Sequence, residues 1–209
     1  MTNRIPKISA SKQICIVCEG NEEYKYLERL NELHVWNSLY AIRLDNAEGN
    51  GNIVARYQDN YQNGTYDAVF VFCDTEKKPH EQYKDIKTKI NNIHGSDVAK
   101  YVVIFANPCT MRIILKHWTE QNIKSPAKQA NAPFIEKCTN VVKYKGRKDQ
   151  IKEIMNKITI NSYKTMKDRV RQMSSDDEVC GSTNFFELLK NLESADDKWI
   201  DDLNDKLVE

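Results

Sequence analysis

No stretch of this 209-residue chain approaches the roughly 18 consecutive apolar residues that a membrane-spanning helix needs. The opening "MTNRIPKISASKQ" lacks the apolar core of a secretory leader, so a cytoplasmic location with no membrane partner is expected. Net charge is almost absent. With 31 Lys and Arg against 30 Asp and Glu the balance is +1, which by itself points to no class of partner. The glycine-punctuated "NAEGNGN" (46–52) lacks the Lys-Ser/Thr ending of a P-loop and reads as a turn. Cys15 and Cys18 form a Cys-x-x-Cys, but no second such pair and no matching His pair follows, which argues against structural zinc. Ser-His-Asp arrangements, dinucleotide fingerprints, internal repeats and low-complexity tracts are also missing.

What is present is ordinary for a globular protein: 40% hydrophobic and 29% charged residues. Four of the six cysteines lie in or beside apolar, strand-like runs, so they read as reduced core residues. The length suits one core with an appendage. Apolar Ile14 to Val17 is followed by Glu22 to His34, where Tyr26, Leu27, Leu30 and Leu33 recur at helical spacing. Tyr40 to Leu44 is a second strand, followed by a helix from about Ile53 to Tyr61. "YDAVFVFCD" is the clearest strand, a near-continuous run of the kind found where a parallel sheet is covered on both faces. A helix from about Glu81 to Ile93, the strand "YVVIFANP" and the helix "TMRIILKHW" complete the alternation. It predicts an α/β fold, a parallel sheet flanked by helices over residues 1–121, with a helical C-terminal extension over 122–209 packed on the same domain.

In such a sheet, ligands collect at the carboxyl ends of the strands where strand order reverses. Glu19 directly follows the first strand, and "DTEKK" places Asp74 and Glu76 directly after the third. If those strands are neighbours the three carboxylates converge, and convergent carboxylates repel unless a divalent cation joins them; hard oxygen donors suit Mg²⁺ or Mn²⁺. Each residue also has a plainer role. Glu19 could be a loop carboxylate near a helix N-terminus, Glu22 and Glu23 ordinary first-turn acids, and Asp74 a cap. The two strand ends taken together carry more information than any one of these residues.

Here the residues resemble a known family. "VCEGNEEYKYLERL" is similar to the first motif of TOPRIM domains, and "VFVFCDTE" to their strand followed by Asp-x-Asp. More narrowly, "IFANPCTMRIILKHW" and "GSTNFFELLKNL" resemble the Asn-Pro-Cys/Ser segment and the closing Thr-containing helix of the RloB-like family. The resemblance implies a TOPRIM-like fold and a bacterial relative of OLD-type nucleases in anti-phage defence. Glu19 would then be general base or metal ligand, and Asp74 and Glu76 the metal-binding pair for Mg²⁺ or Mn²⁺. Two positions depart from the pattern. Glu76 stands where the second aspartate is usual, and Thr110 and Met111 replace the aromatic and glutamate that normally follow Asn-Pro-Cys. Either Glu19, Asp74 and Glu76 hold metal alone, or the site mainly binds.

Charge along the chain is uneven. Between Val142 and Arg171 ten basic residues stand against three acidic ones, and from Asp176 onward acids dominate. A polyanion-facing patch and a merely solvated helix face both fit this. For holding nucleic acid, RNA or DNA, the candidates are Lys77, Lys78, Lys145, Arg147 and Lys148, with Tyr144 to stack on a base and Arg112 to contact a phosphate. His117 reads equally as a packing or a catalytic histidine, while Trp118 and Trp199 read as core or interface anchors. Asn107-Pro108 is also ordinary grammar for a strand end and a helix start.

The leading expectation is a metal-dependent nuclease. The second is a binding module that grips nucleic acid or a partner ATPase without turnover. A receiver-like phosphoacceptor ranks last, because the chain offers no clear fifth strand.

Overall fold

A computed structural model describes residues 11–123 and 125–208; the amino-terminal leader reading falls largely outside them. The chain alternates strand and helix as β1 (Lys12–Cys18), α1 (Asn21–Glu32), β2 (Tyr40–Asn46), α2 (Asn50–Gln62), β3 (Ala68–Asp74) and α3 (Glu81–His94). The short α4 (Ala99–Val102) leads into β4 (Val103–Ala106) and α5 (Met111–Leu115). Then come α6 (Lys128–Thr139), α7 (Lys148–Asn156), α8 (Ile160–Arg171), α9 (Phe185–Glu193) and α10 (Lys198–Val208).

The four strands form one parallel sheet in the order β2-β1-β3-β4. β1 and β3 are fully apolar in their central residues and buried on both faces, because helices cover the sheet on each side. The chain leaves β1 for β2 on one side and crosses to β3 on the other. Strand order therefore reverses between the carboxyl ends of β1 and β3. There Cys18 is in register with Phe72, which brings the residues that follow each strand side by side.

Boundaries differ from the expectation where local pattern and long-range bonding compete. "NAEGNGN" is only partly a turn: Gly49 (φ 131°) ends it, and Asn50 to Asn52 already form the first turn of α2. The strand read from "YVVIFANP" is shorter, since Tyr101 and Val102 close α4. α5 stops at Leu115 rather than running to Trp118.

The C-terminal helices share the core of the sheet. Phe185 of α9 stacks on Phe72 of β3 at 5.2 Å and lies 5.9 Å from Tyr26 of α1. Trp199 of α10 packs on Tyr40 and Phe70 and donates to the Tyr40 hydroxyl at 2.9 Å, the anchoring role read from the sequence. The segment before α9 seals the β4 edge: Thr183 bridges antiparallel to Ala106, and the Asn184 amide accepts from Phe105 N–H at 2.8 Å and donates to Val103 O at 2.9 Å. All six cysteines are free thiols, with Cys15, Cys18, Cys73 and Cys109 buried. Among the described residues no helix is long and apolar enough to cross a membrane.

Candidate metal centre at the strand switch point

Leaving β1, the Glu19 N–H donates to Phe72 O at 3.0 Å, which continues the ladder by one residue and fixes the side chain over β3. Glu19 Oε2 then accepts from the Asp74 N–H at 2.9 Å. The first acid thus meets the backbone of the second. With its amide oriented so that the NH2 group faces the carboxylate, Asn50 donates to Glu19 Oε1 at 2.7 Å. Asp74 Oδ1 accepts from both the N–H (2.7 Å) and the hydroxyl (2.8 Å) of Thr110, at the start of α5. Glu76 is exposed, sits in left-handed backbone (φ 57°), and donates its N–H to Pro108 O at 3.0 Å.

Glu22 and Glu23, readable as plain first-turn acids, are buried at the same place. Glu23 Oε2 accepts from the Gly20 N–H at 3.0 Å, closing the start of α1. Glu22 Oε1 accepts from the Tyr144 hydroxyl at 2.8 Å and from Lys128 Nζ at 2.6 Å. Glu19, Glu22, Glu23, Asp74 and Glu76 line one cavity of about 200 Å³, walled also by Cys109, Lys128 and Gly146.

Crowding so many carboxylates in a desolvated corner raises their proton affinity. Burial, then repulsion from Glu23, Glu76 and Glu22, pushes the Glu19 carboxyl up to about 8 against the pull of the Asp74 N–H. Burial and the Glu22 charge push Glu23 up to about 7, although its hydrogen bonds oppose this. Asp74 is raised well above its ordinary value by burial and then by Glu23, Glu19 and Glu22. Burial works against the Lys128 charge, but the Glu22 contact and the fields of Glu23 and Asp74 prevail and raise it. One ammonium cannot neutralise five acids.

The expected nucleic-acid residues divide into two groups. Lys77 and Lys78 are exposed on the loop after Glu76, and Lys145, Arg147 and Lys148 are exposed around Gly146, which is part of the cavity wall. Tyr144 and Arg112 do not fit their expected roles. Tyr144 is buried, with its hydroxyl spent on Glu22, so no ring face is open to a base. Arg112 is buried beneath the 180–181 turn; its guanidinium donates to Asn107 O at 2.8 Å and to Asn122 Oδ1 at 3.3 Å, directed into the protein and away from a phosphate. Met111, at the departed family position, is buried.

His117 resolves as a packing histidine. Its ring nitrogens lie 3.1 Å from the Tyr26 hydroxyl and 3.0 Å from the Ser162 hydroxyl, and burial pushes it down to about 3, keeping it neutral. Asn50, Thr110 and Lys128 were not legible as site residues. The only available signal was that Asn50 follows the second strand and Thr110 follows Asn-Pro-Cys at a helix start.

Fold and site together define a parallel α/β protein with an acidic pocket at its strand switch point and C-terminal helices closing the core. The chain belongs to the RloB-like protein family, whose model matches residues 14–192. No curated protein and no solved structure matches it significantly.

Proposed function

We propose that the protein is a metal-dependent nuclease that hydrolyses phosphodiester bonds of RNA, tRNA included, or of DNA in bacterial anti-phage defence. The observation that carries this reading is the Glu19–Asp74 pairing at the switch point, where Glu19 Oε2 meets the Asp74 N–H at 2.9 Å in an acid-lined cavity. Among the described residues, no three His, Cys, Asp or Glu side chains stand close enough to form a ready-made ligand set. The chemistry of the donors nevertheless fits a hard divalent ion: all are carboxylate oxygens, and the raised proton affinities of Glu19, Glu23 and Asp74 mark negative charge that the protein leaves uncompensated. Glu19 and Asp74 would hold Mg²⁺ or Mn²⁺, with Glu76 reaching in from its loop. Such an ion, when bound, supplies polarisation of the phosphate and a more acidic attacking water.

The chain's own residues do the rest. Thr110 and Asn50 hold the Asp74 and Glu19 carboxylates in orientation, and Tyr144 and Lys128 restrain Glu22. Lys77, Lys78, Lys145, Arg147 and Lys148, all exposed, hold the phosphate backbone, so binding weakens steeply with salt.

The test offers tRNA, single-stranded DNA and duplex DNA to purified protein with Mg²⁺ or Mn²⁺, beside Glu19→Gln. Cleavage is expected to fall by at least about 100-fold in the variant, the scale of losing a group that acts in the transition state. Cleavage that survives both the substitution and EDTA would overturn the proposal. The second reading, a module that binds nucleic acid or a partner ATPase without turnover, is favoured by the buried Met111 and by the Lys128 ammonium lodged on Glu22. It predicts salt-sensitive binding with no product under any metal.

A further inference from the structure

The β4 edge of the sheet is sealed by Thr183 and Asn184, but the opposite edge, β2, is not. Lys12 N–H donates to Leu39 O at 2.8 Å and Ala47 N–H donates to Cys18 O at 2.9 Å, which fixes the phase of the β1–β2 ladder. Parallel pairing uses alternate residues. Ala41, Arg43 and Asp45 therefore turn their backbone groups to β1, and Ile42 and Leu44 turn theirs outward. Among the described residues nothing hydrogen-bonds the outward N–H and C=O groups of Ile42 and Leu44. An open row of this kind is a template for another strand.

We propose that this edge pairs antiparallel with β2 of a second copy of the chain, about a two-fold axis through Leu44, joining two four-stranded sheets into one. The side chains select this partner and this register. With Leu44 opposite Leu44, Arg43 of each copy lies across from Asp45 of the other, and Ile42 lies across from Asn46. Arg43 is exposed, and Asp45 accepts only from Asn60 at 2.9 Å; neither forms an ion pair among the described residues. The two nearest alternative registers that keep outward groups opposed set Arg43 against Arg43 or Asp45 against Asp45, which like-charge repulsion disfavours. Because the strands run in opposite directions, the two acidic rims stand at opposite ends of the joined sheet. Each copy then keeps an independent cavity.

Sedimentation and light scattering of the full chain from about 1 to 100 μM test this. Wild type is expected to double its mass, Arg43→Asp to shift the transition at least about tenfold higher in concentration, and the swap Arg43→Asp with Asp45→Arg to restore it. Circular dichroism monitors the fold of each variant. Hydrogen exchange provides a second reading: the Ile42 and Leu44 amides are expected to be protected at high concentration and to exchange freely on dilution. A wild type that stays monomeric throughout would overturn the proposal, as would a dimer indifferent to Arg43→Asp or with freely exchanging Ile42 and Leu44 amides.

Discussion

At the scale of single residues, the site is held together against its own charge. Glu19 and Glu23 take protons at about 8 and about 7, far above the range of the unfolded chain, because burial and like neighbours disfavour the carboxylate. Between about pH 4.5 and 8 the folded state therefore binds more protons than the unfolded one, and stability falls as pH rises through that window. His117 acts in the opposite direction: held near 3 in the fold, it binds fewer protons than when unfolded, so its contribution is lost as pH falls from 6.5. Glu19→Gln removes one desolvated charge. It is expected to raise stability at pH 8 by about 2 kcal/mol and to leave it nearly unchanged at pH 4.5. Each pH unit of displacement is worth about 1.4 kcal/mol, of which a partly solvated carboxylate keeps only a fraction. Urea unfolding of both proteins at the two pH values measures this. A variant less stable than wild type at pH 8 would mean that the Glu19 bonds to Asp74 and Asn50 outweigh the repulsion. Gain in stability with loss of cleavage is the signature of a residue kept for function.

At the scale of elements, β4 is short and depends on a segment far along the chain. Asn184 substitutes for a neighbouring strand, giving Phe105 N–H its acceptor and Val103 O its donor, and the Thr183 hydroxyl donates to Phe105 O at 2.5 Å. Asn184→Ala leaves a buried N–H and a C=O unpartnered. It is expected to cost about 2–3 kcal/mol, at roughly 1–3 kcal/mol for each orphaned group with partial rescue by water. Hydrogen exchange should show the Phe105 amide opening before those of β1. The same region carries the site indirectly, because Thr75 and Glu76 donate to Ala106 O and Pro108 O at 3.0 Å each. Loosening β4 therefore loosens the loop that bears Glu76.

For the whole molecule, the strand-helix alternation and the C-terminal helices form one core. Phe72 is covered by Phe185, Phe70 by Trp199, and α1 by α7. A fragment ending at residue 121 would expose the inner faces of β3 and β4. It is expected to aggregate or to lack near-ultraviolet circular dichroism, and the full chain to stay in solution with a fixed aromatic signal. The fragment also loses Lys128 and Tyr144, two partners of Glu22, and with them Pro126, Gly146 and Ile151 of the cavity wall.

The amino-acid pattern alone determined the strand-helix alternation and set an acid directly after two of the strands; that β1 and β3 lie side by side was decided by the fold. Ile14 to Val17 and Ala68 to Cys73 read as buried strands, and placing an acid directly after each needs nothing but backbone continuity. Local spacing could not say which polar side chains of the second half turn inward. "KYKGRK" looks uniformly basic and exposed, yet Tyr144 is drawn under by Glu22, a residue 122 positions away, while the lysine beside it stays in solvent. Asn50 and Thr110 were settled in the same way, by the Glu19 and Asp74 carboxylates that reach them only when the sheet and its loops close on one another. Burial of a polar group is decided by whether such a distant partner arrives, and that is a property of the assembled fold.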